Sequence, residues 1–413
     1  MNEATLAYVR QHADDDVRKL ALRGSKDSAV DMVAALQQIA GRQTARRKLP
    51  SWAALDNILY PPHLNMEQCS SEQAARYKAS VCSPATPGTL VDLTGGLGVD
   101  FSFLAPLFAK AVYVEQQEQL CRLARHNLTV LGVEAEVVCA DSTDYLHQLE
   151  HVSLIFVDPA RRDSHGARTY GIADCTPDVI ALRDELLQKA DRVMLKLSPM
   201  LDWRKAVSDL GAQYVREVHI VSVGGECKEL LLVMAAPSSH AELAAGPLRV
   251  VCVNDEETWE VPLADSQSSD ATTIAMQGGV ESIPASAYLY EPNASDYLYE
   301  PNASVMKAGC FAELSASFGV SQLAQNSHLF IADHLVADFP GRKFRIHAVS
   351  SMNKRELKQK ILPLRQANIT VRNFPLSVAQ LRQRLKLADG GHHYIFATTL
   401  QSGEHVLLVA GAQ

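Results

Sequence analysis

The sequence predicts an α/β fold: a parallel sheet wrapped by helices, preceded by a helical region and followed by two smaller modules. Three observations carry this reading. The apolar pair Leu90-Val91 ends in Asp92 and runs into a turn with Gly95, Gly96 and Gly98, followed by the helix-compatible Phe101-Ser102-Phe103-Leu104. Four successive apolar strands each end in an acid, with helical patterns between them. The C-terminal stretch alternates β and α patterns and is strongly basic. Alternating β and α elements build a parallel sheet, and ligands gather at the carboxyl ends of its strands.

Residues 1–80 read as helical. Ala29, Val30, Val33, Leu36 and Ile39/Ala40 form one apolar stripe, and Ala74, Ala75 and Tyr77 within Glu72–Ser80 another. This region is expected to cap the ligand edge of the sheet, with Arg42, Arg46, Arg47 and Lys48 on its surface and packing as its main role. The sheet itself is expected within residues 81–236. After the first strand, Ala111–Val114 ends in Glu115, Val133–Ala140 ends in Asp141, and Ser153–Val157 ends in Asp158-Pro159-Ala160-Arg161-Arg162. Gln117–Leu131 places Leu120, Leu123, Ala124, Leu128 and Leu131 at helical spacing. Val193–Leu197 is the next strand. The runs Val215–Val223 and Leu230–Met234 read as a closing antiparallel hairpin with Glu226-Cys227-Lys228-Glu229 in its turn.

The acids discriminate among ligands. A glycine-rich turn lets backbone approach a ligand closely. A dinucleotide would put its pyrophosphate there, and Asp92 would repel it. Phe101 also stands where the third glycine of a G-x-G-x-x-G fingerprint belongs. S-adenosylmethionine has no phosphate and carries a sulfonium and an ammonium, so Asp92 and Asp100 suit it.

On these residues, the stretch from about Ser80 to Ala236 resembles the class I S-adenosylmethionine-dependent methyltransferases. The resemblance implies a Rossmann-like sheet and S-adenosyl-L-methionine as cofactor. It implies that Asp92, Gly96 and Gly98 cradle the methionine end, that Glu115 bonds the ribose hydroxyls and that Asp141 meets the adenine amine; Thr94, Gly95 and Asp100 are further candidate cofactor residues. Thr94 stands where the family's first glycine usually lies, and Gly95 is supernumerary. Asp158-Pro159-Ala160-Arg161 is similar to the fourth motif of nucleobase amino-methyltransferases. There the acid and a proline carbonyl accept from an exocyclic amine. No aromatic follows Pro159, so the base-stacking half of that motif is missing. Arg161 and Arg162 point to a phosphate contact or a guanidinium stacked on a base. The candidate catalytic residues are Asp158, Pro159 and Arg161. Methyl transfer from a sulfonium needs mainly positioning and electrostatics, so neither a nucleophile nor a metal is expected. Lys196-Leu197-Ser198-Pro199 and Glu226–Glu229 are further candidates to line the pocket.

Residues 237–340 read as a small α+β, ferredoxin-like domain. Leu248–Val253 and Trp259–Val261 are short strands, and the polar Asp265–Gly279 is an expected mobile loop. The octapeptide YLYEPNAS occurs twice, at Tyr288–Ser295 and Tyr297–Ser304. Two copies are too few for a solenoid. One copy is expected to be structural and the other a loop, with the second running into Val305–Gly309.

Residues 341–413 hold the charge polarity of the chain. The 413-residue chain has a net charge of −8, yet residues 341–388 carry twelve Lys or Arg against one acid, Glu356. That segment is +11 and the remainder −19. Such asymmetry is a footprint for nucleic acid. Arg342, Lys343, Lys354, Arg355, Lys358, Arg382 and Arg384 are candidate RNA contacts. Strand, helix, strand, helix and two strands follow in order, with Ser377 capping the second helix. This order and basicity are similar to the THUMP-like domain of some bacterial methyltransferases, which implies an RNA partner. His392-His393 are adjacent and would face opposite ways on a strand, so they make no metal pair. The eight cysteines show neither C-x-x-C nor metal spacing. There is no apolar run of membrane length and no N-terminal apolar signal region. A cytoplasmic, reducing location and no membrane partner are expected.

The expected activity is methylation of an exocyclic amine of an RNA base, in tRNA or rRNA. A small-molecule or protein methyltransferase, and a non-catalytic RNA-binding protein retaining the fold, are the alternatives. The intact set Asp92, Glu115, Asp141 and Asp158 weighs against the last.

Overall fold

The computed structural model describes residues 1–82, 87–161, 171–236, 247–263 and 291–413, with backbone alone for residues 63–65 and 161. The chain divides into two compact units. The first comprises residues 1–202, 206–217 and 229–246, and the second residues 203–205, 218–228 and 247–413.

The first unit opens with six helices: α1 (Glu3–Gln11), α2 (Val17–Arg23), α3 (Met32–Lys48), α4 (Pro50–Ala53), α5 (His63–Gln68) and α6 (Glu72–Cys82). Asn2, Asp16 and Asp31 cap the first three through side-chain oxygens that accept from backbone N–H groups. The buried face of α3 is Ala35, Gln38, Ile39, Gly41 and Ala45. Val33, assigned to the apolar stripe from sequence, is 79% exposed. Val30, Leu36 and Ile39 of that stripe do join the core with Val9, Leu20 and Ala35, so the stripe holds except at Val33. On α6 the buried face is Ala74, Ala75, Lys78 and Cys82. Tyr77 is only half-buried, and a lysine takes its expected place in the stripe.

The sheet follows, with helices between its strands: β1 (Thr89–Asp92), α7 (Val99–Leu104), β2 (Lys110–Glu115), α8 (Glu118–Leu131), β3 (Glu136–Cys139), α9 (Ser142–Gln148) and β4 (Val152–Val157). A two-residue pair, β5 (Ala160–Arg161) and β6 (Cys175–Thr176), comes next. Then come α10 (Arg183–Lys189), β7 (Ala190–Leu197), α11 (Trp203–Leu210), β8 (Val215–Val223) and β9 (Glu226–Met234). The strand order is β8-β9-β7-β4-β1-β2-β3. β1 pairs in parallel with both β2 and β4, and β7 pairs antiparallel with β9. The chain winds outward from β1 to β3 and then restarts at β4 on the other side. A crevice therefore opens beyond the ends of β1 and β4, the position where open α/β sheets bind ligands. Trp52, Tyr60, Met66 and Ala75 of the helical region share a core with Leu97 and Val99 of the glycine-rich turn.

The turn between β8 and β9 is not Glu226–Glu229. It is Gly224-Gly225, both at positive φ (61° and 75°), which glycine alone adopts readily. Glu226–Glu229 lie within β9.

In the second unit, β10 (Arg249–Asn254) lies beside β8 and pairs antiparallel with β11 (Glu257–Val261). This hairpin does not join the sheet that holds residues 297–340. That sheet contains β12 (Tyr297–Pro301), β13 (Ser321–Gln322), β14 (Phe330–Ala332), β15 (Gly341–Ser351), β16 (Asn368–Arg372), β17 (His393–Thr399) and β18 (His405–Ala412), in the order β13-β14-β12-β15-β18-β17-β16. The second octapeptide copy forms β12 and the cap and first turn of the helix Ala303–Ala308, with Asn302 accepting from Val305 N. The first copy is described only from Glu291 onward and lies outside helix and strand. The expected loop at Asp265–Gly279 lies outside the described residues.

The βαβαββ order predicted for residues 341–413 is present. Its first helix starts at Lys354 as an α-turn, widens through Leu357–Ile361 and tightens at Leu362–Leu364. The sheet is buried on both faces, with period two. Phe344, Ile346, Phe396 and Leu408 belong to one core, and Ile395, Ala397, Leu407 and Val409 to the other. β12 pairs with β15 over Tyr297–Pro301, so residues 297–340 and 341–413 share one sheet.

The eight cysteines are free thiols. Among the described residues, no helix is long and apolar enough to cross a membrane, and no three His, Cys, Asp or Glu side chains converge on a metal-sized site.

Leu408 is 0% exposed. Truncating it to alanine should cost about 2–5 kcal/mol through lost transfer energy and a residual cavity. The check is hydrogen exchange across β17 and β18 together with denaturant unfolding; a loss below about 1 kcal/mol would contradict this core.

Candidate active site

The crevice beyond β1 and β4 holds a cavity of about 280 Å³. Asp92, Thr94, Gly95, Gly96, Gly98, Asp100, Glu115, Asp141 and Asp158 all line it, joined by Gln68, Cys69, Ser70 and Lys196. All eight candidate cofactor residues are thus together, along with one of the three candidate catalytic residues. Pro159 is buried but is not among the lining residues. The side chain of Arg161 lies outside the description.

The turn after β1 is built by backbone contacts. Gly95 N donates to Val114 O at 2.9 Å, and a Cβ at Gly95 would come within 2.2 Å of the Tyr113 ring. Gly95 is therefore needed for close packing on β2. Gly96 and Gly98 have φ of +55° and +80°, and a Cβ on either would meet no atom closer than 3.6 Å. Both also line the cavity. Thr94 explains the departure from the usual glycine. Its N–H donates to Asp92 Oδ1 at 2.9 Å, and its Oγ1 accepts from Asp158 N at 2.7 Å. The side chain ties the end of β1 to the end of β4, which a glycine could not do.

The acids differ in their surroundings. Glu115 accepts from Gly96 N at 3.1 Å and Gln117 N at 2.8 Å, so its carboxylate is held between two loops. Asp141 caps α9, accepting from Thr143 N and Asp144 N. Asp92 is 1% exposed, and burial pushes its pKa up to about 8, against the hydrogen bond from Thr94. Burial acts on Asp100 in the same direction, but Lys78 and Lys196 beside it prevail and hold its pKa below the usual value.

Beneath these acids lies a chain of buried charges. Lys196 Nζ donates to Asp158 Oδ2 at 2.6 Å and to Asp100 Oδ2 at 3.3 Å. Lys78, fully buried on α6, lies 2.5 Å from Glu229 Oε1 on β9 and 3.2 Å from Asp100 Oδ1. Ser70 Oγ donates to Asp100 Oδ2 at 2.8 Å. Lys196 and Glu229 were candidates from sequence, but Lys78 and Ser70 were not. The available signal for Lys78 was its place on the apolar face of α6, where an unpaired lysine would be unstable.

The seven candidate RNA residues divide by partner. Arg342 is bonded to Glu300, which Arg372 also reaches at 3.0 Å. Arg382 is paired with Asp389, and Lys343 Nζ donates to Gly341 O. Lys354, Arg355, Lys358 and Arg384 are exposed, and among the described residues they make no ion pair. Three of these four lie on the helix that starts at Lys354.

Comparisons with known proteins agree with this architecture. Residues 297–340 match a ferredoxin-like domain family, and residues 341–412 match a family described as THUMP domain-like. The chain is 31% identical to a protein of Porphyromonas gingivalis W83 whose crystal structure is provisionally described as a methyltransferase. That match covers 99% of this chain and 97% of the other, with a TM-score of 0.82. An uncharacterized S-adenosylmethionine-dependent methyltransferase of Mycobacterium tuberculosis is 26% identical over 341 residues, 82% of this chain and 84% of that one.

The elevated pKa of Asp92 has a consequence for stability. A carboxyl whose folded pKa exceeds its unfolded value stabilises the fold while protonated. That contribution is complete below the ordinary value of 3.8 and is lost as pH rises through about 8. Asp92→Asn should therefore raise the melting temperature of the ligand-free protein at pH 9 by an amount corresponding to about 1 kcal/mol or more, with a much smaller effect at pH 4. Melting curves of both proteins across this range provide the check, and a pH-independent difference would refute it.

Proposed function

The chain belongs to the S-adenosylmethionine-dependent methyltransferases, and from that footing we propose that its substrate is RNA. The observation that carries the proposal is that Lys354, Arg355, Lys358 and Arg384 are exposed and make no ion pair among the described residues, on a module that matches a THUMP domain-like family. The cofactor fits the residues present. Gly96 and Gly98 line the cavity without a side chain, so backbone there can approach a ligand closely. Five acidic side chains line the cavity against one lysine, and even with Asp92 protonated the acids outnumber the lysine, which suits a sulfonium and an ammonium and repels a pyrophosphate. Asp92 and Asp100 would face the methionine end, Glu115 the ribose and Asp141 the adenine. The cofactor supplies an electrophilic methyl group, and the chain binds, orients and excludes water.

With a small-molecule or protein substrate the basic module would serve only to tether RNA, a less direct use of its exposed cations. At finer grain, Asp158-Pro159 favours an exocyclic amine as acceptor. Pro159, however, is not among the lining residues, and Lys196 already engages one oxygen of Asp158. These two facts bear on the acceptor and weaken the amine reading.

Domain boundaries near residues 80, 236 and 340 are proposed as the functional divisions. The pairing of β12 with β15 makes residues 341–413 an unsuitable fragment to test alone, because removing β12 would expose a strand edge.

Glu115→Ala should weaken cofactor binding by about 1.5–3 kcal/mol, since a carboxylate contact to ribose hydroxyls is charge-assisted. Calorimetry on the full chain tests it; unchanged affinity would remove Glu115 from the site.

The full-length protein should bind RNA with an affinity that falls as salt rises. Four phosphate contacts on a single strand would give a log–log slope of about −3. Reversing Lys354, Arg355 and Lys358 to Glu should flatten that slope to about −1 and leave cofactor affinity unchanged. Salt-insensitive or absent RNA binding by the wild type would turn the reading toward a small-molecule or protein substrate.

A further inference from the structure

The chain of buried charges beneath the cavity joins five elements. Glu229 on β9 pairs with Lys78 on α6, Lys78 with Asp100 on α7, Asp100 with Lys196 on β7, and Lys196 with Asp158 at the end of β4. Lys78 and Glu229 lie behind the cavity wall, with side chains 0% and 3% exposed, while Asp158 is 40% exposed at the mouth. The arrangement thus delivers one ammonium, that of Lys196, to the oxygen of a carboxylate at the reaction end of the site.

An ammonium in that position discriminates between acceptors. When an exocyclic amine takes a methyl group, its nitrogen gains positive charge as the bond forms. An adjacent ammonium opposes this and also neutralises the carboxylate meant to attract it. A hydroxyl has the opposite requirement. Its oxygen must shed a proton, and a neighbouring cation stabilises the alkoxide character that develops. A carboxylate beside that cation can take the proton.

We propose that the methyl acceptor is a ribose 2′-hydroxyl of RNA, held by Lys196 and deprotonated by Asp158. This rests on the RNA reading above. The 2′-hydroxyl is the hydroxyl RNA presents at every internal nucleotide. In the transfer, the 2′ oxygen forms a bond to the methyl carbon, and the carbon–sulfur bond breaks with its electron pair left on sulfur. The hydroxyl hydrogen, made strongly acidic as the new bond forms, passes to Asp158 and from there to water at the cavity mouth. Lys196 stays an ammonium throughout. Burial acts to lower its pKa, but Asp158, Asp100 and Glu229 hold it well above the usual lysine value. That is why Lys196 stabilises charge and Asp158 receives the proton. Asp100, Lys78 and Glu229 are positioning residues that hold the ammonium in place.

The test uses the full-length protein, S-adenosylmethionine with a deuterated methyl group, and total RNA from a strain lacking the gene. Digested nucleosides are read by mass spectrometry. Label on the sugar fragment of 2′-O-methyl nucleosides is the expected result. Label on a base fragment would overturn the hydroxyl acceptor while leaving the RNA reading intact. No label in any RNA would overturn the RNA reading itself, and this proposal with it. Lys196→Met should lower kcat about 100-fold, with KM and cofactor affinity within about threefold; wild-type kcat in that variant would overturn the role of Lys196. A readout independent of turnover is the ¹⁵N signal of the lysine Nζ groups at neutral pH, assigned against Lys196→Arg. An ammonium signal is expected at Lys196, and a neutral amine there would overturn the proposal even if the methionine variant failed to fold.

Discussion

A lysine buried without exposure has to be paired, and Lys78 is where the first unit satisfies that demand. Its ammonium sits between Glu229 and Asp100, so α6, β9 and α7 are fixed to one another by charge as well as by packing. Removing one partner of such a cluster strands the others, at a cost of about 3–5 kcal/mol. Replacing the whole cluster by apolar residues would be much less costly. One consequence of the cluster is that Lys196 is held beside Asp158. The same contacts convert the helical N-terminal region from a cover into part of the site. Ser70 bonds Asp100, and Gln68, Cys69 and Ser70 form one wall of the cavity.

The electrostatics of the chain separate two tasks. The cavity is acidic, which suits a cationic cofactor and rejects phosphates. The C-terminal module is basic, with Lys354, Arg355, Lys358 and Arg384 left without ion pairs among the described residues. The remaining candidates there have structural partners. Arg342 and Arg372 neutralise Glu300, which is 5% exposed, and so hold β12 beside β15 and its neighbours. A basic composition thus overstates the number of charges free to meet RNA. The net charge of −8 understates the polarity, because opposite charges are segregated along the sequence.

Much of this was legible before any coordinates. Strand ends marked by acids, a glycine turn and helical periodicity are local signals, and the residues that carry them line one cavity. Errors arose where a local signal had two phases or a missing anchor. In the α3 stripe Val33 alone turns outward, while Val30, Leu36 and Ile39 face the core. The β8–β9 turn was assigned to charged residues, although Gly224-Gly225 was the stronger turn signal. The hairpin at residues 249–261 was grouped with the residues that follow it in sequence, but it lies beside β8. Which edge a hairpin joins depends on exposed backbone donors and acceptors elsewhere, and these have no sequence signature.

By itself the sequence determined the element order, the ligand edge of the sheet, the acids that line it and the basic character of the C-terminal module. Each of these follows from periodicity or from residue type at the end of a strand. Tertiary structure decided how the charges are shared. That Lys78 meets Glu229, 151 positions away, that Thr94 bridges β1 to β4, and that Lys196 rather than open space faces Asp158 are consequences of packing these elements around one another. Ion pairs between distant residues leave no periodic trace in a sequence, because each needs only a charged residue at a buried position and a partner brought to it by the fold.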